Sequence, residues 1–462
     1  MDHGGHVLVV AFPGQGHINP ALQFAKRLLG MGLKVTFVTA FSALNRMTET
    51  AAAAPPGLSF VGFSDGYDNG WKTSDTEHFM VEQKRRGSAA MEELVASAAA
   101  QGQPFVHVVY CILLPWVGRV AQKLGLPATF LWLQPASLLD IYFYYFNGYG
   151  DEIMKNSDDP SWSIQLPGLP PLTADDLPPF LFPSDPSNFA IALFKEHIDV
   201  ITDSQQTNPN SKVLVNTFDE LEFDALRSVK KLNMIAAGPL IPTAFLDGKD
   251  PSDTSFGCDL FQKTKDYTDW LNSKPTASVI YVSFGSYLVL KDHEMEAIAR
   301  GLLETRRPFL WVVRSGGTDD DQGYELSCKA ELEEQGLVIP WCSQVEVLSN
   351  PSVGCFFTHC GWNSCIESLA LGVPVVGFPL WTDQATNAKL VQDVWKAGIK
   401  VRRNREGMVE DGEVKRCLEM AMEGEEMRRN ARKWKDLAKE AAMEGGSSYL
   451  NIKNFVDELR GI

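Results

Sequence analysis

The segment FPGQGHINP, Phe12 to Pro20, carries a histidine in a setting suited to proton transfer. Gly14 and Gly16 permit a tight backbone turn directly after a β-branched apolar run, and Asn19-Pro20 opens a helix. His17 is therefore expected at the carboxyl end of a strand, where ligands of open α/β sheets bind. A neutral imidazole there can take a proton from a reacting hydroxyl. A lone histidine is more often structural; its place on a glycine turn after the first strand favours the chemical reading. The dinucleotide fingerprint G-x-G-x-x-G would need glycine at position 19, where Asn19 stands, and this disfavours a nicotinamide cofactor.

A second dense stretch, WCSQVEVLSNPSVGCFFTHCGWNSCIESLALGVPVVGFPLWTDQ, runs from Trp341 to Gln384. A strand ending in His359 leads to Trp362-Asn363-Ser364 at a helix start. Free N–H groups there, Asn and Ser donors, and the positive character of a histidine suit a pyrophosphate. Trp341 offers a flat face to a base, and Glu367 can accept from two vicinal ribose hydroxyls. Asp383 and Gln384 could grip sugar hydroxyls, and Ser286, closing the strand segment YVSFGS, could donate to a phosphate. Singly, each has a structural alternative: Trp341 and Trp362 as core aromatics, Glu367 on a solvated helix face, Asp383 as an N-cap, Ser286 in a turn. Their ordered co-occurrence is what is specific.

These residues need strands and helices to hold them. Val7 to Phe12, Val35 to Thr39, Val106 to Tyr110, Phe130 to Leu133 and Val213 to Thr217 read as buried strands, with helical patterns such as Ile18 to Met31 and Val117 to Leu124 between them. The rhythm lapses between Ile241 and Tyr267 among loop-forming residues. It resumes with Val279 to Phe284, Phe309 to Val313, Val338 to Pro340, Cys355 to Thr358 and Val375 to Phe378. Such alternation predicts parallel sheets covered by helices on both faces, in two doubly wound α/β domains with a cleft between them. Glu413 to Met443 reads as solvated helix, stopped by Gly445-Gly446 before one last helix.

Composition narrows the partners. The 462 residues carry 42 Lys plus Arg against 58 Asp plus Glu, a net charge of −16 that repels phosphate backbones and anionic lipid surfaces. Nucleic acid is excluded as a partner, and no apolar run reaches the ~20 residues of a membrane helix. Eight cysteines with no C-x-x-C pair read as reduced thiols. Without a signal-peptide pattern at Met1 or an Asn-x-Ser/Thr acceptor, a cytoplasmic protein with no membrane insertion is expected.

The Trp341 to Gln384 stretch resembles the sugar-nucleotide box of plant secondary-product UDP-glycosyltransferases. Similarity continues through FPGQGHINPALQFAKRLL, FSDGYDNG, LVNTFDELE, GPLIPTAFLDG and FLWVVR, so it spans essentially the whole chain. The nearest group is that of anthocyanin 5-O-glucosyltransferases and crocetin glucosyltransferase. The resemblance implies a GT-B fold, two Rossmann-like domains facing a central cleft. The expected divisions are an acceptor-binding domain at 1–240, a linker at 241–267, a UDP-sugar-binding domain at 268–446 and a C-terminal helix at 447–462 packing back on the first domain. By position, Trp341 would stack on uracil and the main chain of Cys342 would bond its edge. Gln344 and Glu367 would hold the ribose. His359, Asn363, Ser364 and Ser286 would bind the pyrophosphate, while Trp362, Asp383 and Gln384 would contact the sugar. Gln384 is associated with glucose. His17 would be the base for in-line displacement, inverting an α-linked donor to a β-glucoside, with UDP-glucose as co-substrate and neither metal nor other cofactor required.

One departure bears on chemistry. In many members an aspartate pairs with the base histidine; in VVYCILLPW that position is Cys111. A neutral thiol supplies no charge, so His17 should be a weaker base, and easily ionised acceptors, carboxylic acids or acidic phenols, should be preferred over alcohols. Phe12, Cys111, Gln134 and Tyr142 are expected to line the acceptor pocket, in an aromatic-rich region suited to a flat or polyene aglycone. Asp319-Asp320-Asp321, the obvious candidate for a D-x-D-like metal site, reads as a solvated loop, and FSDGYDNG as a surface turn. The competing functions are a catalytically silent UDP-sugar sensor and, less favoured, a nicotinamide-dependent oxidoreductase; oligomeric state is left open.

Overall fold

A computed structural model describes residues 5–461 except 51–54, 71–75, 158, 160, 183, 184, 186, 187, 189, 257–266, 286–289 and 314–325; for 48–50 it describes the backbone alone. The expected alternation produces two parallel sheets. The N-terminal one is built from β1 (His6–Val10), β2 (Lys34–Ala40), β3 (Leu58–Phe63), β4 (His107–Cys111) and β5 (Ala128–Trp132). After a two-stranded ribbon of β6 (Ser163–Ile164) and β7 (Leu172–Thr173), it is completed by β8 (Val213–Val215) and β9 (Met234–Ala236). The strand order is β3-β2-β1-β4-β5-β8-β9. Central β1 pairs on both sides, Val9 lying opposite Phe37 and Val109. Val7, Leu8 and Val9 are completely buried, the signature of a sheet with helices on both faces.

The C-terminal sheet repeats the plan with β10 (Val279–Ser283), β11 (Phe309–Val312), β12 (Leu337–Ile339), β13 (Val353–Thr358), β14 (Val375–Gly377) and β15 (Gly398–Lys400). Its order is β12-β11-β10-β13-β14-β15, so the topological switch lies between β10 and β13, where a ligand crevice is expected. The stretch read as one helical region from Glu413 breaks at Gly424 into Asp411–Glu423 and Glu425–Ala442. After Gly445-Gly446 the helix Ser447–Arg460 crosses to the N-terminal sheet. There Asn451 donates to the carbonyl of Ala236 at 2.9 Å, and Phe455 packs against Phe24 and His107.

The halves meet through directional contacts. Trp362 and Trp395, in the C-terminal half, donate their indole N–H groups to the carbonyls of Asn216 and Leu221, at 2.8 and 3.0 Å. Asp176, which follows β7, accepts from Thr173 Oγ1 and lies 3.6 and 3.5 Å from Lys389 and Lys400. Its carbonyl accepts from Thr386 Oγ1 at 2.6 Å. No disulfide links the described cysteines, and among the described residues no helix is long and apolar enough to cross a membrane.

Candidate functional site

The helix Gln15–Gly30 begins where β1 ends, with extended Gly14 at its N-cap position, so His17 sits in the first turn at the carboxyl end of the sheet. Phe12 packs beside its ring, centroids 5.1 Å apart. His17 Nδ1 is buried with no hydrogen-bond partner among the described residues, and burial pushes the imidazole pKa down to about 4. The ring is neutral at physiological pH and open to a proton, yet weakly basic. Cys111 ends β4, and the register Val10 opposite Tyr110 sets it beside the last turn before His17. It is fully buried, and its thiol is pushed well above the ordinary range, so it brings no charge.

The helix Trp362–Leu371 starts just after β13, and its N-terminus meets the turn of His17: Asn363 Nδ2 donates to Gly16 O at 2.7 Å. His359 directly follows β13, Nδ1 at 3.2 Å from Thr358 Oγ1. Its Nε2 would approach a Cβ at position 285 or 361 to 2.8 or 2.6 Å, so Gly285 and Gly361 make room for the ring. Burial lowers the His359 pKa to about 4. Burial favours the neutral ring, which can still donate an N–H to an anion.

Gln344, at the start of the helix Gln344–Ser349, donates to Glu367 at 2.7 Å and to Ser364 Oγ at 3.2 Å. Glu367 is buried, not on a solvated face, and desolvation raises its pKa to about 7 against the lowering effect of Gln344. Trp341 is half-buried, three residues before Gln344. Beneath it, Cys342 Sγ meets Tyr281 Oη at 3.5 Å, and the next amide, of Ser343, donates to Tyr267 Oη, anchoring the segment to the core.

Asp383 accepts from Thr382 Oγ1 at 2.8 Å and Asn387 Nδ2 at 2.7 Å. Gln384 turns its amide oxygen to the main-chain N–H groups of Leu380 and Trp381, which leaves its NH2 group as the end able to donate to a ligand. Across from them Tyr142 is buried with its hydroxyl unpartnered, near enough for the Asp383 charge to act on the phenol. Gln134, after β5, likewise leaves its amide oxygen unpartnered.

The side chain of Trp362 points to the contact between halves. Its ring is buried beside Trp395, 5.8 Å between centroids, and its indole N–H is taken by Asn216, so the side chain serves the contact between halves. Its main-chain amide bonds the Asp383 carboxylate. Ser286 and Asp319 to Asp321 lie outside the described residues. FSDGYDNG is not wholly a surface turn: Asp65 is completely buried, with Oδ1 accepting from Tyr67 N at 2.9 Å. Asn216, Asp176 and Asn387 were missed in the sequence; the first two act across the halves, which no local pattern reveals.

Known proteins match this arrangement closely. The family model described as UDP-glucoronosyl and UDP-glucosyl transferase matches residues 258–445. The chain is 52% identical to crocetin glucosyltransferase, chloroplastic, of Gardenia jasminoides, over 98% of this chain and 97% of that protein. It is 50% identical to anthocyanidin 3-O-glucoside 5-O-glucosyltransferase of Verbena hybrida, over 99% of each. Among solved structures, Os79 from O. sativa in complex with UDP superimposes with a TM-score of 0.86 at 31% identity, covering 98% of this chain and 100% of that one.

Proposed function

The chain belongs to the plant family 1 UDP-glycosyltransferases, and from that membership we propose that it transfers glucose from UDP-glucose to a small secondary metabolite, with His17 as base. The acceptor oxygen attacks the anomeric carbon as the bond to UDP breaks, giving a β-glucoside or a β-glucose ester. In this reading Trp341, Cys342, Gln344 and Glu367 hold the uridine and His359, Asn363, Ser364 and Ser286 the pyrophosphate. Asp383 and Gln384 hold the glucose, with Trp362 beside them fixing the Asp383 carboxylate through its main-chain N–H. No metal is required, and the compartment is cytoplasmic.

The observation that carries it is the 2.7 Å contact between Asn363 and Gly16. A helix N-terminus able to receive a pyrophosphate abuts the turn that presents the base, so donor and acceptor would meet between them. The depressed imidazole and the uncharged Cys111 favour acceptors that ionise readily. Carboxylic acids are already anions at neutral pH, phenols are intermediate, and alcohols depend most on the base. Crocetin and an anthocyanidin glucoside, named for the relatives above, suggest acceptor classes to try first.

The test is mass-spectrometric turnover of UDP-glucose, with and without EDTA, against matched aglycones bearing a carboxylic acid, a phenol or a primary alcohol. Product from the acid and phenol, little from the alcohol and no effect of EDTA are expected. Equal alcohol turnover would overturn the acceptor preference. UDP-glucose binding without product from any acceptor would favour the sensor.

A further inference from the structure

The helix Gln15–Gly30, which carries His17, is built into the N-terminal half: its Ala21, Leu22, Phe24 and Leu28 are buried in the core of that half. The segment from Ile241 to Phe256 is built into the other half, since Ile241, Leu246 and Phe256 join the core that holds Val345, Phe356 and Ile366. Apolar packing thus assigns the two pieces to different halves, and the polar bonds between them join the halves.

One of these bonds is an ion pair. Lys26 Nζ lies 2.6 Å from Asp253 Oδ1 and donates to the carbonyl of Ser255 at 3.1 Å. The two side chains are 24% and 9% exposed, so solvent screens the pair only in part. The other carboxylate oxygen of Asp253 accepts from the main-chain N–H of Thr243 at 2.8 Å and from its hydroxyl at 3.1 Å. Thr243 opens the short turn Thr243–Phe245, which packs against the helix Gln344–Ser349, and Gln344 is bonded to Glu367. A continuous line of contacts therefore runs from the helix of His17, through Lys26, Asp253 and Thr243, to the helix that presents Gln344. Arg27 adds to the attachment by donating to the carbonyl of Ala237 at 3.0 Å and to that of Pro239, shortly before Ile241.

The bond from Asn363 to Gly16 is a second tie between the same helix and the same half. Gly16 and Lys26 stand about 15 Å apart along the helix axis. One tie would leave the halves free to pivot about it, whereas two ties so far apart fix the angle as well as the distance. A shielded ion pair adds little net stability, and its best-attested use is to fix register.

We propose that Asp253 is a positioning residue for the transfer: through Lys26 and Thr243 it sets the angle at which the half holding the nucleoside stands to the helix carrying His17. The assignment rests on the transferase reading above and adds to it a determinant of how donor and base are brought into line. Without the ion pair the seat for UDP keeps its own bonds, from Gln344 to Glu367 and Ser364, but stands out of line with the base. Binding of UDP then survives while turnover falls.

The test uses the full chain, below the unfolding temperature of every variant, at saturating UDP-glucose and with whichever of the acid and phenol aglycones turns over faster. Lys26→Met and Asp253→Asn should each lower kcat about tenfold, while calorimetry with UDP gives a Kd within about twofold of native. Lys26→Arg, which keeps the charge, should hold kcat within about threefold. Sites this far apart ordinarily act additively, so Asp253→Asn combined with Asn363→Ala should lose at least about threefold more kcat than the product of the two single losses, each tie limiting the pivot that removal of the other allows. A merely structural role would lower the thermal midpoint of Lys26→Met and leave kcat and the coupling untouched. Native kcat in both single variants overturns the assignment, as does a rise in the Kd of UDP that matches the fall in rate, or strict additivity with Asn363→Ala. Turnover by the native chain checks the transferase reading separately: UDP binding without product from either aglycone would overturn that reading and this assignment with it.

Discussion

The side-chain amide of Asn363 donates to the main-chain carbonyl of Gly16 at 2.7 Å, tying the first turn of a helix in one half of the molecule to the turn that holds His17 in the other. The tie is close: a Cβ on residue 16 would lie 3.4 Å from that amide nitrogen. A displacement of the C-terminal half at this point would shift the turn that carries His17. Asn363→Ala should lower kcat/KM for UDP-glucose by about 5- to 30-fold, the equivalent of a hydrogen bond of about 1 to 2 kcal/mol. Asn363→Asp, which puts a negative charge beside the pyrophosphate, should be worse. Steady-state kinetics with the acceptor fixed will check both.

Glu367 should make nucleoside binding sensitive to pH. Its carboxyl is buried and titrates near 7, and the charged form is the better acceptor for ribose hydroxyls. As pH falls from 8 to 6 the acid protonates and affinity for uridine, which has no phosphate to titrate, should fall about tenfold. Glu367→Gln should weaken binding at pH 8 and abolish the pH dependence. Calorimetric titration at the two pH values is the measurement.

His17 titrates near 4, so at saturating donor the rate with a carboxylic acid acceptor should be level between pH 6 and 8. His17→Ala should cost phenol acceptors about 10²- to 10⁴-fold and acid acceptors less than about tenfold. Cys111→Asp should raise the imidazole pKa and speed phenol transfer about tenfold, whereas Cys111→Asn, similar in shape without the charge, should not. Rate profiles against pH for the three variants decide the matter.

Asp176 should matter for stability more than for chemistry. It is nearly buried, and its removal takes a shared carboxylate from Lys389 and Lys400, leaving Lys389 paired with Asp393 at 2.8 Å. Asp176→Ala should cost about 1 to 3 kcal/mol, less than a fully buried pair because both lysines are partly solvated. The thermal midpoint should drop by a few degrees while kcat changes less than about threefold. Thermal unfolding followed by turnover at a fixed temperature will show this.

What was legible in the sequence follows from range. The central strands, such as Val7 to Val10 and Val353 to Thr358, are continuous apolar runs because both faces are covered, and their pattern is local. The peripheral strands Leu58–Phe63, Met234–Ala236 and Gly398–Lys400 are shorter or partly solvated, and their pattern did not stand out. Asn363, Ser364, Glu367, Asp383 and Gln384 stand out in the sequence because they lie on one strand-to-helix unit and the strand and loop after it. The use of the Trp362 indole could not be read, since its acceptor, Asn216, lies 146 residues away.

The helix Ser447–Arg460 gives the folding of this chain a time order. The side of the N-terminal sheet that carries Phe24 and His107 is covered by Phe455, and the carbonyl of Ala236 by Asn451. During synthesis at about 5 to 20 residues per second, that cover arrives on the order of 10 to 40 seconds after β9 has left the ribosome. For that interval the nascent first half presents an apolar strip with no partner, a surface for chaperones to hold. Loss of the last helix should therefore show first as reduced soluble yield in the cell, before any catalytic constant is measured.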